Sequence, residues 1–243
     1  MPMNTNLLYM EQMHDLAADA HVVRVEQQDS RSVVMLDQTI LYPQGGGQPY
    51  DTGTISNGAT TFTVEEVRFV DGEVRHIGHF TGPAFMPDED VHLSVDAERR
   101  KLHARLHSAG HLVDMAVTEL GLNWIPGKGY HFPDSPYVEY EGQLDPGQHG
   151  AVQAQIQKQA NELIQQDLPV SARFVSYEEL QKICHHVPVT LPAGKPIRVV
   201  QFNNFAVPCG GTHVASLAEI GELTITKLKN KDGNIRVGYN VSR

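Results

Sequence analysis

The stretch DAERRKLHARLHSAGHLVDMAVTEL, residues 96–120, decides the fold class. Its apolar residues fall at Leu102, Leu106, Ala109, Val113, Ala116 and Leu120, a helical spacing. Asp96 fits an N-cap and Gly121 a C-cap. Upstream the pattern differs. VVRVEQ (22–27), RSVVMLDQ (31–38), TFTVEEVRFV (61–70) and EVRHIGHF (73–80) are short β-branched runs. They are separated by turn signals such as Ser56-Asn57-Gly58 and Asp71-Gly72. Several such strands in a row predict a small antiparallel β-barrel. FTGPAFMPDEDV (80–91), with two prolines and an acidic run, is the candidate boundary.

Downstream of the helix, YVEYEGQL (137–144), PVSARFVS (169–176), IRVVQF (197–202), GELTITKLK (221–229) and IRVGYNVS (235–242) read as strands. Helices are expected over 147–166, after Pro146, and over 177–183. The last two strands meet at an Asp232-Gly233 turn. The chain is therefore expected to be α+β: an N-terminal antiparallel β-barrel domain over 1–90, then a two-layer α+β domain over 91–243.

Composition is ordinary for a globular protein of 243 residues, with 40% hydrophobic and 20% charged residues. No apolar run is long enough to span a membrane. The N-terminal MPMNTNLLYMEQ lacks the basic start and apolar stretch of a secretion signal. With two cysteines, Cys184 and Cys209, no disulfide framework is expected, and a reducing cytoplasmic home is the simplest. Net charge is −10, which weighs against a nucleic-acid partner. The excess is local: residues 1–90 hold 14 acidic and 4 basic side chains, residues 91–243 hold 15 of each. Basic patches can still form at Arg99, Arg100, Lys101 and Arg105, or at Lys227, Lys229, Lys231 and Arg236, although solvated faces are the plainer reading.

His107 and His111, four apart on the long helix, share one face about one turn apart. His103 and His107 have the same spacing, so the pair alone is ambiguous. In Pro208-Cys-Gly-Gly-Thr-His213, Cys209 and His213 offer a thiolate and an imidazole, and two glycines allow the loop to fold them together. Two histidines plus this pair make four ligands for one tetrahedral zinc. Ser108 follows His107 where a metalloprotease needs Glu, and the second cysteine of a zinc deaminase is lacking. Four protein ligands by themselves suit a purely structural ion. Cys184 reads as a small buried hydrophobe.

A further motif, Tyr42-Pro43-Gln44-Gly45-Gly46-Gly47-Gln48-Pro49, lies between strands. It is neither a phosphate loop nor a dinucleotide fingerprint. Its three glycines suggest backbone lying against something. LYPQGGGQPYDTG, then HSAGHL, then CGGTHV, in that order, resemble the editing domain of alanyl-tRNA synthetase. They resemble still more the freestanding AlaX editing proteins, in their medium-sized form, over nearly the whole chain. The resemblance implies that the α+β domain is of the threonyl/alanyl-tRNA synthetase editing type. It implies a zinc-dependent hydrolase that deacylates tRNA(Ala) mischarged with serine, and also with glycine. It implies His107, His111, Cys209 and His213 as zinc ligands, with Thr39 and Gln48 facing substrate. Gly45, Gly46 and Gly47, with Lys227 and Lys229 as phosphate contacts, are the expected substrate and tRNA side. Such a second sieve is needed because an alanine pocket rejects a slightly different small side chain by only a few kcal/mol. Zinc can serve by activating water or by orienting the ester, and both readings stay open. The rival readings are an editor of another mischarged tRNA, such as Ser-tRNA(Thr), and a non-catalytic zinc-containing tRNA-binding module.

Overall fold

The computed structural model describes residues 4–188, 191 and 194–242. The chain forms two compact units. One comprises residues up to Gly45 and Pro49–Lys101; the other comprises Gly46–Gln48 and the chain from Leu102 onward.

The first unit is a closed antiparallel barrel of six strands. They are β1 (Ala17–Gln28), β2 (Arg31–Leu36), β3 (Gly53–Ser56), β4 (Thr61–Val70), β5 (Glu73–Thr81) and β6 (Asp90–Val95). The order around the barrel is β1-β2-β5-β4-β3-β6, closed by pairing of β6 with β1. The alternation of β6 is complete, with Val91, Leu93 and Val95 buried and their neighbours exposed. It joins Val34, Phe62 and Val67 in one core. The β4–β5 hairpin turns through Asp71 and Gly72, both at positive φ, as a two-residue turn requires. The 90/91 boundary expected from sequence falls inside β6, after its first residue, and the barrel needs that strand in order to close.

Two polar clusters are buried in this unit. Arg100, 3% exposed, donates to Asp51 and to the carbonyls of Met13 and Ile40. Arg99 lies over the Tyr50 ring and donates to its carbonyl. The expected basic patch at 99–105 is corrected accordingly: Lys101 is exposed, but the guanidinium groups are engaged within the fold. Arg105, in the second unit, donates to Ile220 and Ser242 carbonyls.

The second cluster is His76 with Thr39. His76 Nδ1 donates to the Val34 carbonyl, which can only accept. Nε2 is therefore an acceptor, and takes the Thr39 hydroxyl proton at 2.9 Å. Burial pushes the His76 pKa down from 6.5 to about 4. The folded state thus holds His76 neutral, while the unfolded chain takes up the proton below pH 6.5. The stabilisation from a neutral His76 is complete above that pH and is lost as pH falls toward 4, roughly 3 kcal/mol in all. Denaturant midpoints measured from pH 7 to pH 4 should fall steeply in the wild type. His76→Gln should flatten that slope, and an unchanged slope would refute the assignment.

The second unit holds α1 (Ala97–Glu119), most of whose length belongs here, β7 (Ile125–Tyr130), β8 (Tyr137–Glu141), α2 (His149–Gln165), β9 (Val170–Val175), α3 (Tyr177–Ile183), β10 (Ile197–Phe202), β11 (Phe205–Pro208), β12 (Leu223–Lys231) and β13 (Asn234–Val241). A four-stranded sheet runs β12-β13-β8-β7, and a three-stranded sheet runs β9-β10-β11. Asp96 caps α1 through the Arg99 N–H. Gly121, at φ +66°, closes it with Gly121 N–H to the Thr118 carbonyl and Leu122 N–H to the Val117 carbonyl. From Leu106 to Val117 the helix is buried almost all round. Leu102, expected on the buried face, is 37% exposed.

Helix α2 packs on β12, an edge strand, and satisfies its backbone with side-chain amides. Asn161 pairs both ways with Leu223, and Gln157 and Gln153 serve the N–H and carbonyl of Ile225. The Leu223–Ile225 stretch of the edge, covered in this way, is closed to pairing with another chain. The architecture is the expected α+β, a barrel followed by helices on antiparallel sheets. Among the described residues no helix is long and apolar enough to cross a membrane.

Candidate metal centre

Helix α1 brings His107 and His111 to one face, with ring centroids 5.0 Å apart. The loop after β11 brings Cys209 and His213 to them. One ligand atom from each of the four residues lies within 4.8 Å of all the others. Cys209 Sγ is 3.4 Å from His107 Nε2 and 3.4 Å from His213 Nε2. This group of four could hold a metal ion. His103, which competes by spacing, is buried on the same helix but lies outside the cluster. Cys184 also lies outside it; burial lifts its thiol pKa to about 11.

Three of the four residues are oriented from behind. His107 Nδ1 donates to Gln48 Oε1 at 2.8 Å, leaving Nε2 free toward the cluster. Gln48 is in turn held by Thr212, whose N–H donates to Oε1 and whose hydroxyl accepts from Nε2. His213 Nδ1 sits 3.1 Å from Ser108 Oγ, which also accepts the Val214 N–H. Arg198 donates to the Cys209 and Gly211 carbonyls and so fixes the loop. His111 Nε2 is buried with no hydrogen-bond partner. A buried ring nitrogen left unpaired beside a thiol and two imidazoles is what a metal ligand awaiting its ion looks like.

Electrostatics agree with this chemistry. Burial, then the neighbouring His213, His131 and His111, hold the His107 pKa well below 6.5. Burial lowers that of His111 to about 4. Both rings are neutral near pH 7, the form that ligates. Burial pushes the Cys209 thiol up, while the Gly211 N–H and Arg198 pull it down. A metal would take over that balance by binding the thiolate.

The glycine motif bears on this site through Gly46–Gln48. Gly46 and Gly47 have positive φ. A Cβ on Gly47 would lie 2.3 Å from the Gly129 carbonyl oxygen, so only glycine allows this approach. The Gly47 carbonyl accepts the His131 N–H, and this anchors Gln48. Gly45 belongs to the first unit. Gln48 is fully buried, and its amide is engaged with His107 and Thr212. Its observed position is that of an orienting group. Replacing it by alanine should lower metal affinity about 10–100-fold, the usual effect of losing such a partner. Competition with a chromophoric chelator would measure this, and unchanged affinity would show that His107 needs no such support. Thr39 lies in the first unit, its hydroxyl bound to His76 and to the Leu41 N–H.

Sequence reasoning missed several neighbours. His131 stacks on His107 at 4.5 Å and is held by the Tyr239 hydroxyl. Ser108 and Thr212 lie inside the quoted motifs but carry no ligand signal of their own. Asp114 and His185 line the cavity beside the cluster.

An AlaX-M alanyl-tRNA editing protein of Methanosarcina barkeri is 31% identical over 88% of this chain and 90% of its own length. The chain belongs to the AlaX family of alanyl-tRNA editing proteins. An AlaX-L alanyl-tRNA editing protein of Pyrococcus horikoshii is 30% identical over 89% of this chain and 53% of its own. An alanine–tRNA ligase of Methanothrix thermoacetophila is 30% identical over 97% of this chain. This family member therefore spans about half of the long form and about a quarter of the ligase. The model for the threonyl and alanyl tRNA synthetase second additional domain matches residues 197–237, which include Cys209 and His213. That for class II (A) tRNA synthetases matches residues 3–99.

Proposed function

We propose that this AlaX family member hydrolyses the aminoacyl ester of tRNA(Ala) mischarged with serine, and also with glycine, at a zinc site formed by His107, His111, Cys209 and His213. The observation that carries the reading is the four-residue cluster whose His107 is aimed by Gln48 of the glycine motif. Thiolate with imidazole is the donor set zinc prefers. Bound zinc would supply a Lewis acid and a fixed positive charge.

The chain's own residues supply the rest. His107, His111 and Cys209 line a cavity of about 280 Å³, large enough for a small aminoacyl group. Gln48 acts as a positioning residue for His107. The resemblance gives Thr39 a substrate-sensing role, and Thr39→Val should change seryl or glycyl hydrolysis. Lys227 and Lys229 project from β12 beside Arg236 and would meet backbone phosphates, so binding should weaken with salt. Cytoplasmic location accords with this substrate.

A second reading keeps the ion purely structural, favoured by four protein ligands converging on one point. A panel of mischarged tRNAs, assayed for deacylation with and without a chelator, separates the readings. Hydrolysis of Ser-tRNA(Ala) and Gly-tRNA(Ala), abolished by chelation and restored by zinc, is expected. Hydrolysis of Ser-tRNA(Thr) alone would redirect the specificity, and no hydrolysis of any member would leave a binding module.

A further inference from the structure

The cavity that His107, His111 and Cys209 line is also lined by Asp114, Tyr140 and His185. Asp114 follows His111 by three residues on α1, so the carboxylate shares the face of the metal-ligand pair. It is 7% exposed, and it is not one of the four clustered ligands. Its Oδ2 lies 3.3 Å from His185 Nε2, and the His185 ring is stacked on Phe205 at 4.4 Å. Its Oδ1 is buried and has no hydrogen-bond partner. The hydroxyl of Tyr140, on a residue 1% exposed, also has none.

A buried acceptor without a donor is costly, and more so when charged. One carboxylate oxygen is held in place by His185 while the other stays unmatched on a cavity wall. An occupant of the cavity that carries a donor would supply the missing partner. A carboxylate only accepts, so the complementary group is a donor, and a primary ammonium matches it in charge as well.

We infer that Asp114 is the seat for the α-ammonium group of the aminoacyl substrate. This rests on the proposed reading that the occupant is an aminoacyl ester. The ammonium nitrogen is two bonds from the ester carbonyl carbon. Anchoring it at Asp114 confines that carbonyl to the cavity walled by His107, His111 and Cys209. Asp114 is thus a positioning residue that selects a free α-amine over an α-hydroxyl or a blocked amine.

The test uses two stable adenosine compounds bearing a 3′-amide. One carries serine; the other carries the same acyl group with hydroxyl in place of the α-amine. Calorimetry should show the wild-type, zinc-loaded protein binding the amine at least tenfold more tightly. Asp114→Asn should bring the ratio close to one by weakening the amine compound far more than the hydroxyl compound. Equal binding of both by the wild type would overturn the ammonium site alone. So would a ratio that survives in Asp114→Asn, whether the metal or another group holds the amine. A variant that loses metal but keeps the ratio would instead make Asp114 a support for His111. Wild-type protein that binds neither compound would overturn the aminoacyl-ester reading itself. The wild-type comparison stands whether or not the variant folds.

Discussion

Cys209→Ala is expected to abolish deacylation and to lower zinc affinity by two to three orders of magnitude. Structural zinc sites bind with about 10–16 kcal/mol apparent free energy, so an even quarter share is roughly 2.5–4 kcal/mol per ligand. Cys209 offers the one sulfur of the four, which would bind a metal as the thiolate, the strongest donor of the set. Its Sγ lies 3.4 Å from both His107 Nε2 and His213 Nε2, so its loss opens the centre of the cluster. The fold should survive, because Leu106, Val113, Ile156, Phe202 and Val237 belong to a large core against which Cys209 packs only as a partly buried neighbour. Metal content by emission spectroscopy and single-turnover deacylation, on the same preparation, give the two readouts. Loss of activity with metal retained would make Cys209 a direct participant. Retention of both would remove it from the site.

Gly211→Ala is expected to be nearly as damaging, although it deletes no ligand. A Cβ at this position would lie 2.2 Å from His107 Cε1, 2.3 Å from Nδ1 and 2.8 Å from Gln48 Oε1. These contacts cannot exist, so the ring or the loop must move. The ring is backed by His131 at 4.5 Å, and the loop is tied down by Arg198. Overpacking of this kind costs about 1–3 kcal/mol. It also breaks the His107–Gln48 alignment, so zinc affinity should fall at least 10–100-fold. Gly150→Ala is the control: nothing lies near the added methyl on α2, and stability should hold or rise slightly. Wild-type zinc affinity in Gly211→Ala would mean that the loop is softer than its hydrogen bonds imply.

Much of this molecule was legible in its sequence where local and tertiary signals agree. The 61–70 strand and the 177–183 helix are found where the patterns place them, because alternation in one and a serine cap in the other coincide with their packing. Among the elements that escaped are three strands. The Gly53–Ser56 strand is only four residues long and gains its identity from two barrel neighbours. The Ile125–Tyr130 strand contains Pro126, Gly127 and Gly129, which read as loop; an edge position tolerates them. The Asp90–Val95 strand alternates cleanly but abuts an acidic run that resembles a linker. At the site, the residue types were readable because thiol and imidazole side chains are the donors a site of this kind needs for a metal ion. Spacing could not separate His103 from His111; the family resemblance selected His111, and the fold places that residue in the cluster. His131, Asp114 and His185 act through three-dimensional neighbourhood and carry no motif.

The cluster joins His107 to Cys209 across 102 residues, and Gln48 reaches His107 from 59 residues upstream. An ion bound there would act as a clasp on the chain. By the loop-closure model, pinning a loop of this length removes roughly 4–5 kcal/mol of freedom from the unfolded chain. Demetallated protein should therefore melt earlier and refold more slowly than loaded protein. During synthesis, no nascent chain that stops short of His213 can complete the four-residue cluster, so the clasp can close only after both halves of the second unit have been made.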